Sequence, residues 1–129
     1  MKKGVILTGH GIFAKGLASS IKMVAGDFDN LRVCDFEEKD TYESLDKKIL
    51  EAYESLKSYE NVIILTDLLG ATPFYRANIC LRDKDNVHFF SGANFEMVYQ
   101  ALSLLDDDLD SYLEKLTSYA KDSIVYYGK

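Results

Sequence analysis

The sequence predicts an α/β fold, doubly wound, with a mostly parallel sheet of about four strands flanked by helices. Short β-rich apolar runs alternate with longer segments of helical spacing along the whole chain. That alternation gives a parallel sheet with helices on both faces, and right-handed crossovers leave few topologies for it. Two runs, Val5-Ile6-Leu7 and Val62-Ile63-Ile64-Leu65, are apolar throughout, as strands buried on both faces are. Each of these runs leads into a glycine-bearing loop, Thr8-Gly9-His10-Gly11 after the first and Asp67 to Pro73 after the second.

In chain order, Gly4–Thr8 is the first strand. Ile12–Ala25 follows with helical spacing, Phe13, Leu17, Ile21 and Val24 sharing a face, and Gly26 stops it. Leu31–Phe36 is the second strand. Thr41 caps a helix running to Ser58, with Leu45, Ile49, Ala52, Tyr53 and Leu56 recurring at three and four. Asn61–Thr66 is the third strand. Thr72 reads as an N-cap with Pro73 at the first helical position, opening a helix over Phe74–Leu81. Asn86–Phe90 is the fourth strand and Asn94–Leu105 the next helix, punctuated by Asp106-Asp107-Asp108. Leu109–Ala120 is a last helix, and Ser123–Tyr127 a short final strand, an antiparallel edge candidate. There is no repeat, no low-complexity stretch and a single proline. Residues 1–129 therefore read as one domain, with the C-terminal helix and strand over about 106–129.

The chain has 129 residues, 47% of apolar and 28% of charged type, enough to bury a core without disulfide or metal staples. Twenty-one acidic against 15 basic residues give a net charge of −6. This argues against nucleic-acid binding, which rests on clustered Lys and Arg, and against attachment to anionic lipid. Cys34 and Cys80 are too few for a disulfide framework and read as buried reduced thiols. No apolar run reaches the roughly 18 residues of a membrane span, and the one after Lys2-Lys3 is too short for a signal segment. A cytoplasmic protein is the expectation.

In open α/β sheets, ligands bind beyond the carboxyl ends of the strands, where the strand order reverses. The loops after the first and third strands are expected to face each other there. His10 lies between Gly9 and Gly11, which leave room for a bulky group to approach. A neutral imidazole is a nucleophile when one nitrogen keeps its proton and the other is free, and a carboxylate fixes that tautomer. Asp67 is the candidate. The helix starts after Gly11 and at Thr72-Pro73 both offer backbone amides to an anion, and the sign suits a phosphoryl group. Other readings stay open. Gly9 to Ala14 fits the G-x-G-x-x-A dinucleotide pattern, with Asp35 as the ribose acid at a longer spacing than usual. No phosphate-binding P-loop is present. An aspartyl phospho-acceptor would want acidic residues after the first strand, where this chain has Thr8-Gly9-His10. His88, beside Phe89 and Phe90, reads as a satisfied histidine, and no His/Cys/Asp cluster suggests a metal.

The two loops together, Thr8-Gly9-His10-Gly11 and Thr66-Asp67-Leu68-Leu69-Gly70-Ala71-Thr72-Pro73-Phe74, resemble the mannose-type enzyme IIA of the bacterial phosphoenolpyruvate-dependent sugar phosphotransferase system. The likeness covers about residues 1–105 and includes Ser91-Gly92-Ala93-Asn94 before a helix with Met97. It implies that His10 is phosphorylated by the phosphocarrier HPr and passes the group to an enzyme IIB. It implies that Asp67 orients His10, while Gly11, Gly70, Ala71 and Thr72 hold the phosphoryl oxygens. It also implies a homodimer paired through a C-terminal strand, an indirect link to the membrane components IIC and IID, and no cofactor or metal. Two departures stand out. Gly70-Ala71 replaces the family's Gly-Gly, and Tyr75-Arg76 follows Pro73-Phe74 where the family has Asn. The competing classes are a small nucleotide- or dinucleotide-binding module and a regulatory protein on the same fold.

Overall fold

The computed structural model describes residues 2–104 and 108–128. Nine elements follow in order among them: β1 (Lys3–His10), α1 (Phe13–Ala25), β2 (Leu31–Phe36), α2 (Tyr42–Ser55), β3 (Asn61–Thr66), α3 (Thr72–Leu81), β4 (Val87–Phe90), α4 (Phe95–Ser103) and α5 (Leu109–Asp122). The predicted end of α4 at Leu105, and Asp106 and Asp107 of the acidic run, lie outside the described residues. The four strands form one parallel sheet in the order β2-β1-β3-β4. The order reverses between β1 and β3, so their carboxyl ends make the switch point that the sequence implies.

The apolar runs explain which strands lie inside. β3 is buried along its whole length, and β1 from Lys3 to Gly9. Alternate side chains supply two cores. Val5, Leu7, Ile63 and Leu65 face α1, α4 and α5, where Ile21, Val98, Tyr112 and Leu116 meet them. Ile6, Val62 and Ile64 face α2 and α3, against Leu45, Ile49, Leu56, Ala77 and Leu81. The α2 start follows its sequence signal: Thr41 Oγ1 accepts the Ser44 N–H (3.1 Å), and Ser44 Oγ accepts the Thr41 N–H (2.8 Å). Asn94 likewise caps α4, its side chain accepting the Met97 N–H at 2.9 Å.

Several expectations are corrected. Val24 is 72% exposed, and so is the rest of the last turn of α1, Lys22 to Ala25. α2 stops at Ser55, and residues 56–58 form a turn. The final strand over Ser123–Tyr127 does not form. Ser123 closes α5, and residues 124–128 join no ladder. A strand needs a neighbour for its backbone groups, and the sheet of this single chain supplies none there. Cys34 is buried as expected, while Cys80 is only half-buried. Burial pushes the Cys34 thiol up to about 12 and the Cys80 thiol to about 11. No helix among the described residues is long and apolar enough to cross a membrane.

Candidate functional site

His10 ends β1 and Asp67 directly follows β3. Thr8 pairs with Thr66 in the register, so the two loops leave the sheet side by side. Asp67 Oδ2 accepts the backbone N–H of His10 at 2.9 Å and lies 2.7 Å from His10 Nδ1. A carboxylate oxygen only accepts, so this contact places a proton on Nδ1. In the neutral ring Nε2 then keeps its lone pair. The imidazole is 46% exposed while the Asp67 side chain is 14% exposed, so the ring faces outward and the carboxylate inward. Asp67 Oδ1 is buried and has no hydrogen-bond partner, which is uncommon for a buried oxygen.

Gly9 makes this approach possible. A Cβ there would stand 2.5 Å from the Phe13 ring and 3.0 Å from Asp67 Cγ. Gly11 has φ +60° with open space around it, and its N–H donates to Phe36 O at 2.7 Å. The Phe36 ring meets the imidazole edge-on, centroids 6.3 Å apart.

In the second loop, Leu68, Leu69 and Gly70 are exposed, and Gly70 has φ +79°. The expected cap shifts by one residue. Ala71 takes the extended cap conformation (φ −97°, ψ 177°), and Thr72 is already the first residue of α3. Pro73 is tolerated in the first turn, whose amides have no intrahelical acceptor. The cap contributes no side-chain hydrogen bond, and no acidic residue occupies the first turn, so this helix start is available to an anion. The Ala71 N–H turns back to Leu68 O at 3.3 Å, whereas the Thr72 amide and hydroxyl lie at the opening of the helix.

The start of α1 is different, and here the expectation of two open helix N-termini fails. Asp35 Oδ1 accepts the N–H groups of Ala14 and Lys15, both at 3.1 Å. Asp35 is therefore a capping carboxylate supplied by β2, which also removes it as a ribose-binding acid. Arg76, the basic residue nearest the second loop in sequence, is committed as well. Its Nε and terminal nitrogen donate to the two Asp46 oxygens at 2.9 and 2.6 Å, tying α3 to α2. That pairing holds the Asp46 carboxyl below its usual range.

A depression of about 290 Å³ beside the imidazole is lined by His10, Gly11, Phe36, Glu37, Glu38 and Asp40. Asp40 holds this rim in place. It accepts the Glu37 N–H at 2.7 Å, the Lys48 ammonium at 2.9 Å and the Ser44 hydroxyl at 2.9 Å. These donors lower its carboxyl to about 2, the backbone N–H of Glu37 most. Ile12, two residues past His10, Leu68 and Leu69, directly after Asp67, and Tyr75 in the first turn of α3 are more than half exposed. His88 sits away from this centre. Its Nε2 is 3.2 Å from Asn61 Oδ1, and burial lowers its pKa. Among the described residues no three His, Cys, Asp or Glu side chains are placed to hold a metal ion.

The structure thus brings His10, Gly11 and Asp67 together, with Gly70, Ala71 and Thr72 on the adjoining loop. The sequence reading gave Gly9 room for an incoming group and missed that it makes room for Phe13 and Asp67, and it missed the capping role of Asp35 and the support from Phe36. The first carried a signal, a second glycine before the histidine; the other two depend on which residues β2 lays beside β1.

The model of the family described as PTS system fructose IIA component matches residues 4–116. The mannose-specific EIIAB component of Escherichia coli (strain K12) is 28% identical over 108 residues, 84% of this chain and 33% of that protein. The chain thus spans about a third of the length of that curated relative. The fructose-specific EIIA component of Bacillus subtilis (strain 168) is 28% identical over 100 residues, 78% of this chain and 68% of that one. Among solved structures, the mannose/sorbose specific IIA subunit from Enterococcus faecalis superposes with a TM-score of 0.88, covering 100% of this chain and 97% of that chain at 20% identity. That likeness establishes the fold. The family match takes in the sheet from Gly4 onward and both loops that meet at His10, and the chain belongs to the EIIA-man family of PTS IIA components.

Proposed function

We propose that this protein is a phosphotransferase that carries a phosphoryl group on His10 within a bacterial sugar phosphotransferase system. It receives the group from phospho-HPr and donates it to an enzyme IIB. The observation that supports this most is the 2.7 Å contact from Asp67 Oδ2 to His10 Nδ1, which leaves Nε2 as the nucleophile. Nε2 attacks phosphorus as the P–N bond to the donor imidazole breaks and that bonding pair returns to the donor nitrogen. The Nδ1 proton stays with the His10–Asp67 pair, and the nearby carboxylate stabilises the positive charge that develops on the ring. Transfer of this kind depends on positioning and charge stabilisation.

The phosphoryl oxygens are held by the Gly11 side of the first loop and by Gly70, Ala71 and Thr72 at the start of α3. No guanidinium enters this cradle, since Arg76 binds Asp46. Amides and a hydroxyl hold the group lightly, which suits a carrier that must release it. The exposed Ile12, Leu68, Leu69 and Tyr75 and the acidic Glu37 and Glu38 form the face on which partners dock, and the acidic side favours a basic face on the donor. Residues 1–129 act as one cytoplasmic IIA unit with no cofactor, as a homodimer, reaching the membrane components IIC and IID through IIB.

Intact-mass analysis after incubation with phosphoenolpyruvate, enzyme I and HPr tests the reading. A single phosphoryl adduct on the wild type, stable in base, lost in acid and absent from His10→Gln, is expected. No adduct in the presence of active upstream proteins would refute it and leave the regulatory alternative standing.

A further inference from the structure

α1 begins with Phe13, three residues beyond His10. It has no cap of its own, because Ile12 at the N-cap makes no side-chain hydrogen bond and the first turn holds no acidic residue. Asp35 takes that place from the neighbouring strand. It is 8% exposed, pairs with Gly9 in the register, and reaches the Ala14 and Lys15 amides with one oxygen. Its backbone is fixed too, since Lys48 Nζ donates to Asp35 O at 2.8 Å. The next residue holds the reactive loop through the bond from Gly11 N–H to Phe36 O.

A helix N-terminus carries roughly half a positive charge. α1 and α3 both start at the carboxyl end of the sheet, one after β1 and the other after β3. At α3 the first turn meets no carboxylate. At α1 a buried carboxylate already occupies the position an anion would take.

We infer that Asp35 is a positioning residue for phosphoryl transfer: it fixes α1 behind the His10 loop and cancels that helix's positive end, so that of the two helix starts only α3 draws on the phosphoryl group of His10, which stays easy to pass on. The inference rests on the carrier reading above. Without the Asp35 charge, the α1 terminus attracts the phosphoryl dianion, phospho-His10 becomes more stable, and the group leaves less readily.

The test is the equilibrium of phosphoryl exchange between HPr and this protein, read by intact mass after a base quench. That ratio depends only on the free phosphorylated and unphosphorylated forms, so changes in docking cancel. Asp35→Asn keeps an oxygen acceptor for both amides and removes the charge. We expect it to melt close to the wild type and to move the ratio toward phospho-His10 by roughly 3- to 30-fold, the range a helix terminus exerts on a nearby charge. Lys15→Glu leaves Asp35 in place and adds a carboxylate to the same exposed turn, so it moves the ratio the other way, by about 2- to 5-fold. An Asp35→Asn ratio within twofold of wild type, or shifted away from phospho-His10, overturns the inference. If Asp35→Asn does not fold, an unchanged Lys15→Glu ratio overturns it instead. A wild type that exchanges normally beside an indifferent variant removes this inference alone, whereas a wild type that takes no phosphoryl group removes the carrier reading as well.

Discussion

Asp67 uses its two oxygens unequally. Oδ2 accepts the His10 backbone N–H and faces Nδ1, while Oδ1 is buried with no donor. The hydrogen-bonding capacity of this carboxyl group is thus directed at His10. Asp67→Ala is expected to slow phosphorylation of His10 by about 10²–10⁴-fold, the range for losing a group that sets tautomer and charge at an imidazole. A stopped-flow or quenched assay at saturating phospho-HPr measures it, and an unchanged rate would remove the role. Gly9→Ala tests the geometry from the other side. Its Cβ would meet Phe13 at 2.5 Å and Asp67 Cγ at 3.0 Å, so it is expected to lower both the melting temperature and the transfer rate. His10 and Asp67 were legible in the sequence because each follows an apolar strand that must lie in the middle of the sheet. The backbone contact from His10 N–H to Asp67 was not legible, since it depends on how far β1 extends past Thr8.

Among the elements, the two helix starts around His10 are built differently. The helix starts after Gly11 and at Thr72-Pro73 predict two open anion seats, and the fold leaves one, because β2 places Asp35 against α1. Nothing in the α1 segment itself announces this; the carboxylate comes from a residue 20 positions away in sequence from the Lys15 amide it accepts. Thr72 was displaced from the expected cap for a local reason, since Ala71 already supplies the extended backbone and Thr72 can enter the helix. The Thr41 cap of α2 was legible, because a cap is a property of a few adjacent residues, and the structure adds the return bond from the Thr41 N–H to Ser44 Oγ. Its supporting rim gives a pH prediction. The Asp40 carboxyl is lowered to about 2 by the Glu37 N–H, then by Lys48 and Ser44. Its folded value is below its unfolded one, so its contribution to stability is complete above about pH 4 and is lost as the pH falls toward about 2. Asp40→Asn is expected to flatten that part of the acid limb in thermal melts taken from pH 5 to pH 2. A limb as steep as the wild type's would contradict the assignment.

At the scale of the molecule, the parallel sheet follows from the alternation of runs, the observed order β2-β1-β3-β4 is one of the few that right-handed crossovers allow, and the switch point follows from that order. The apolar faces of β1 and β3 divide cleanly between the two helix layers, which is why the architecture could be read before the structure. The C-terminal segment could not. Ile124, Val125, Tyr126 and Tyr127 have the composition of a strand, yet they are 77%, 71%, 91% and 98% exposed. Composition states a preference for strand, while a ladder requires a partner edge. In the proposed homodimer a second copy provides that partner. Light scattering is then expected to give twice the 14.6 kDa mass of the chain, and a chain ending at Ser123 is expected to give the single mass. Equal masses for the two would contradict the role given to the tail.

The most direct test of the account is which ring nitrogen of His10 bears the phosphoryl group. With Nδ1 held by Asp67, nitrogen-15 and phosphorus-31 NMR of the phosphorylated protein should show phosphorus bonded to Nε2 of His10, with Nδ1 protonated. Phosphorus on Nδ1, or on any other residue, would contradict it.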